Sequence, residues 1–131
     1  MQWHTRTVAA PEGPRFRVRA VVAGLVLSLV VTVLAAGIIA VVLLSSPLTE
    51  KHLPWVINGF GFLSIFCGGF ASARISGSLG WFHGCLTGLG YVLVAYLLST
   101  LAFAPAPPVT LARVLFAALA GTVGGMLGVN Y

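Results

Sequence analysis

The chain has 131 residues, 59% of them hydrophobic and only 7% charged, with a formal net charge of +5. A soluble domain carries about 25% charged residues, so this composition cannot cover a water-facing surface and excludes a soluble globular class. The basic excess does not point to nucleic acid, because Lys and Arg flank apolar runs instead of forming a patch interleaved with aromatics.

Residues 1–19 form a basic N-terminal segment with Arg6, Arg15, Arg17 and Arg19. A first uncharged run follows over 20–44, "AVVAGLVLSLVVTVLAAGIIAVVLL". It far exceeds the roughly 7–15 apolar residues of a signal-peptide core. A retained membrane anchor is therefore expected, although "AAG" at Ala36 resembles a cleavage site. Three further apolar runs cover about 54–73, 79–103 and 110–129. A bilayer-crossing helix needs about 20 mostly apolar residues, so the expected class is all-α, with four transmembrane helices in one domain, 20–131. The connections are "SSPLTEKHLP", "RISGS" and "APAPPV", and proline in the outer two stops the helices. Arg6, Arg15, Arg17, Arg19 and Arg74 fall on one side of this layout, Lys51 and Arg113 on the other. The positive-inside rule then places both termini in the cytoplasm, in a multi-pass protein of the cell membrane.

Glycine is a poor helix former in water, yet "GSLGWFHGCLTGLGY" at the start of the third run carries five. In lipid, helices associate by close packing at small residues, and residues four apart share a face. Gly80, Gly84 and Gly88 form such a stripe, and Ser76 extends it. The first run has Gly24, Ser28, Thr32, Ala36 and Ala40; the second has Ser64, Gly68 and Ser72, with Gly69 beside them. The fourth has two stripes, Ala117–Gly121–Gly125 and Ala120–Gly124–Gly128. The prediction is a tight glycine-rich bundle.

An ionisable side chain inside a bilayer is a default functional candidate. His83 sits near the start of the third span, and the topology places Arg74, Ser76, Ser78 and Asn130 on its side. Arg74, His83 and Asn130 are thus a candidate cytoplasmic-side polar cluster for an anionic headgroup or a partner's loop. The plainer reading gives His83 one hydrogen bond at headgroup level, beside Trp81 as an interfacial anchor. His83 and Cys85 are two apart and point to different helix faces, so no metal site is expected, and no cofactor. Cys67 and Cys85 read as small buried hydrophobes. The only carboxylate side chains are Glu12 and Glu50, so no Ser-His-Asp arrangement can be built in the membrane, and no enzyme is expected. The first span also lacks the embedded glutamate on which small four-span exporters depend.

The stretches "GGFASARISGSLGWFHGCLTGLGYVLV" and "AGTVGGMLGVNY" resemble the YrzE-like family of small four-span membrane proteins, a domain of unknown function found mainly in spore-forming Gram-positive bacteria. The matching positions are Gly68, Gly69, Arg74, Gly80, Trp81, His83, Gly84, Gly124, Gly125, Gly128 and Asn130. The resemblance implies four spans and no specified activity. The expected role is structural or accessory, through helix–helix contacts with the lipid bilayer as solvent and a membrane-protein partner or a second copy as neighbour. The alternative is a small oligomeric transporter or channel component with His83 near the pathway.

Overall fold

The computed structural model describes residues 16–45, 50–102 and 108–131. Among these the chain forms four α-helices and one 3-10 turn, with no strand: α1 Val18–Ser45, α2 Leu53–Ser76, α3 Gly80–Leu101 and α4 Leu111–Asn130, the turn being Glu50–His52. Helices of 28, 24, 22 and 20 residues are about 42, 36, 33 and 30 Å long at 1.5 Å per residue. Each can cross a hydrocarbon core of about 30 Å, and each is apolar enough to do so. The all-α, four-span architecture expected from the sequence is the one observed.

The middle connection is shorter than the sequence reading made it. Arg74 lies in the last turn of α2, not in a loop, because the helix continues to Ser76. Gly77 ends it at φ 65°, its N–H donating to Ala73 O. A left-handed residue at this point is the common way to terminate a helix, and glycine adopts it without a Cβ clash. Leu79 is also left-handed, at φ 49°, so two left-handed residues reverse the chain within Gly77–Leu79. Ser76 Oγ holds this turn, 2.9 Å from both Ala73 O and Ser78 O.

The small-residue stripes lie where the helices meet. All nine glycines of the predicted contact set, Gly68, Gly69, Gly80, Gly84, Gly88, Gly121, Gly124, Gly125 and Gly128, are buried. Between α3 and α4 the register is antiparallel in steps of four: Gly80 faces Gly125, Gly84 faces Gly121, and Gly88 faces Ala117. Between α2 and α4, Gly69 faces Gly121, while Gly124 and Gly128 rest on the backbone of Phe66 and Phe70. A Cβ on Gly69 would fall 2.5 Å from Gly121 O, and one on Gly24 the same distance from Gly68 O. Real Cβ atoms do not come so close. The same geometry aims the second Cα hydrogen of each glycine at a facing carbonyl, giving the weak Cα–H···O contacts known at close helix interfaces.

Helix α1 is the outermost. It packs on α2 through Gly24 and Ser28 against Gly68 and Ser72, touches α3, and makes no contact with α4. Its buried residues are Ala20, Gly24, Ser28 and Ala35; the predicted stripe departs there, with Ala36 and Ala40 exposed. Beyond Ala35 no residue of α1 is buried and only Ile39 is half-buried, although Gly59 and Gly61 of α2 stand at that level with nothing within 4 Å of where a Cβ would be. The bundle is therefore tight at the end with the Gly77–Leu79 turn and open at the other.

Candidate functional site

At the tight end, His83 is fully buried in the first turn of α3. Its Nδ1 lies 3.0 Å from Leu79 O, one turn back in the chain. Its Nε2 accepts the backbone N–H of Arg17 at 3.2 Å. A carbonyl only accepts and an N–H only donates, so the two bonds assign the neutral tautomer with its proton on Nδ1. Leu79 O also accepts the N–H of Phe82 and of His83, at 3.0 and 3.1 Å. Three donors on one carbonyl hold the left-handed Leu79, a conformation that costs a non-glycine residue of order 1–3 kcal/mol.

Arg17 is the residue before α1, and its carbonyl accepts the first bonds of that helix, from Ala20 and Val21. The imidazole of α3 thus anchors the start of α1. Phe16 stacks on the ring at 5.5 Å between centroids, and Phe82 meets both rings edge-on, at 5.9 Å from Phe16 and 6.2 Å from His83. Thr87 continues the polar column, its hydroxyl donating to His83 O at 2.8 Å.

The other two members of the predicted cluster stand apart from this anchor. Arg74 is exposed, its guanidinium carbon 5.9 Å from the Phe70 ring centroid. Asn130 is exposed at the end of α4. Both share the His83 end of the bundle, but the groups that touch His83 are Phe16, Arg17, Leu79, Phe82 and Thr87. Sequence reasoning missed Phe16 and Arg17. The residues before the first span read as topology charges, and only the close packing of α1 on the other helices brings Arg17 N to the ring. Cys67 and Cys85 are free thiols, partly buried. Among the described residues no three His, Cys, Asp or Glu side chains come together as a metal site.

The open end holds a cavity of about 1140 Å³ with walls from all four helices, from Thr32–Leu43 of α1, Trp55–Ile65 of α2, Tyr91–Ser99 of α3 and the start of α4. Thr32 and Tyr91 share a hydrogen bond of 2.9 Å at its inner limit. His83 is not in the lining. It sits eight residues before Tyr91 on the same helix, about 12 Å along the axis.

The family model for a protein of unknown function, DUF3792, matches residues 17–128. The chain belongs to that family. The DUF3792 match begins at Arg17, the residue that His83 anchors, and spans all four helices. The chain is also 35% identical over 65 residues to an uncharacterized membrane protein, YrzE, of Bacillus subtilis (strain 168), covering 50% of this chain and 43% of the relative. The chain thus spans less than half the length of that curated relative. The likeness read from the glycine and histidine motifs is borne out. No solved structure matches.

Proposed function

We propose that this DUF3792 chain is a non-enzymatic structural or accessory subunit that acts through helix contacts within the bilayer, with both termini in the cytoplasm. The observation that carries the reading is how the contact surfaces are divided. The glycine faces are used inside the chain, Gly84 on Gly121 and Gly24 on Gly68, so the bundle closes on itself. The outward face of α1, with Val22, Val26, Val30, Val33 and Val41 exposed, meets no other part of the described chain. A partner helix or a second copy has that face to pack on.

The orientation draws on Arg17, Arg19 and Arg74 at the His83 end against Lys51 and Arg113 at the other; Arg6 and Arg15, which add to the count, lie outside the described residues. A non-enzymatic role agrees with the state of His83, since both ring nitrogens are engaged by backbone groups and none is left for proton transfer. The transport alternative draws no support from His83, which lies away from the cavity.

Single cysteines at Val33 on α1 and at Leu119 on α4, crosslinked in native membranes, test the reading. Adducts at the α1 position and few at Leu119 are expected. Only uncrosslinked single chains from both positions, with no partner after gentle-detergent purification, would overturn it.

A further inference from the structure

We propose that the open-end cavity is a binding site for an anionic phospholipid, which enters from the bilayer between α1 and α3 and places its phosphate on Arg113. Three observations converge on this ligand. The volume of about 1140 Å³ is above the range of about 300–1,000 Å³ usual for small-molecule sites, which suits acyl chains. Of the α-helix pairs that touch, α1 and α3, both in the walls, meet most sparsely, so the space opens sideways into lipid between them. Arg113 is the one charged side chain among the described lining residues, with Asn58 as a neutral polar companion.

The position of Arg113 adds weight. The α3–α4 register pairs Gly84 with Gly121 and Gly88 with Ala117, and one further turn pairs Val92 with Arg113, both of which line the cavity. The guanidinium is exposed in the first turn of α4, at the mouth of the cavity, with no counter-charge among the described lining residues. A phosphate supplies one, and guanidinium binds it through paired N–H groups. Thr32 and Tyr91 satisfy each other, so the wall offers chains an apolar surface of Ala36, Ile39, Phe116 and Ala117. This site does not depend on the partner reading of α1.

Trp55 lines the same cavity and serves as the probe. The full chain carrying Trp3→Phe and Trp81→Phe is reconstituted in phosphatidylcholine vesicles, and brominated lipids are added as quenchers. Brominated phosphatidylglycerol is expected to quench Trp55 at a several-fold lower mole fraction than brominated phosphatidylcholine. Arg113→Gln should abolish the preference, Arg74→Gln at the opposite end should keep it, and Ala36→Phe should weaken quenching by both lipids. Inorganic phosphate at millimolar concentration should leave the preference intact. Equal quenching by the two lipids in the parent overturns the proposal whatever the variants do. So does a preference that survives Arg113→Gln, or one that free phosphate abolishes.

Discussion

Gly121 is the residue on which the bundle's closeness can be tested most directly. A Cβ there would run into Gly84 O and lie 3.0 Å from Gly84 C and 3.2 Å from Gly88 N. All three atoms are backbone of α3, so no side chain can rotate away and the two helices must part. Overpacking of this kind costs about 1–3 kcal/mol. Parting also loses the reciprocal Cα–H···O contacts between Gly84 and Gly121, about 0.5–1 kcal/mol each. Alanine's better helix propensity offsets about 1 kcal/mol. The balance for Gly121→Ala is a loss of about 1–4 kcal/mol by these magnitudes. Gly59, where an added methyl group would have nothing within 4 Å, supplies the matched control, and Gly59→Ala should be neutral or stabilising by up to about 1 kcal/mol. Unfolding in mixed micelles titrated with dodecyl sulfate, followed by far-UV circular dichroism, compares the two. Gly84→Ala together with Gly121→Ala should cost less than the sum of the single changes, because helices already parted accept the second methyl. If the midpoints of Gly121→Ala and Gly59→Ala coincide, backbone closeness does not hold these helices together.

Other changes have expected outcomes of their own. His83→Leu strips the acceptor from the part-buried Arg17 N–H, which costs about 0.5–1.5 kcal/mol, and should speed tryptic cleavage after Arg17 in vesicles; an unchanged cleavage rate would refute the anchor. Tyr91→Phe removes its bond to Thr32 and should lower stability by about 0.6 kcal/mol, the average for such bonds between membrane helices, as read from the same unfolding curve. Ser72 Oγ is a buried side-chain atom without a hydrogen-bond partner, so Ser72→Ala should be neutral or stabilising by up to about 1 kcal/mol; clear destabilisation would show that the hydroxyl has a partner. A C-terminal fluorescent-protein fusion should glow and an alkaline phosphatase fusion stay inactive if the C-terminus is cytoplasmic, and the reverse pattern would invert the topology.

The fold was largely legible because two strong signals agreed. Apolar runs of bilayer length marked the helices, and small residues four apart marked their contact faces, so Gly80–Gly84–Gly88 and both stripes of the fourth span fell into interfaces as expected. The exact end of α2 was not legible, since the Gly77 cap and the Ser76 hydroxyl, not hydropathy, decide it. The site was less readable. His83 stood out as a buried ionisable residue, but its partner is the main-chain N–H of Arg17, and a backbone group leaves no trace in residue type. Arg113 was visible as a charge, yet its place in the cavity wall emerges only from the packing of α4 on α2 and α3. The stripe of α1 predicts contact along its whole length, yet burial stops at Ala35, because small residues permit a close approach but do not enforce one: Gly59 and Gly61 of α2 have nothing within 4 Å of an added Cβ.

The length of α1 has a mechanical consequence. At about 42 Å it exceeds a hydrocarbon core of about 30 Å, so it must lean or stand proud. The Phe16–Arg17–His83 cluster and the Gly24–Ser28 contact clamp its lower half, which makes any lean a swing about that clamp. The swing carries the upper half toward or away from α3, and thinner membranes demand more of it. The breadth of the lateral opening is then coupled to bilayer thickness, and spin labels at Ile38 and Leu115 would read the coupling as a distance that changes with acyl-chain length. A distance that stays constant from short-chain to long-chain lipids would show α1 to be rigidly set.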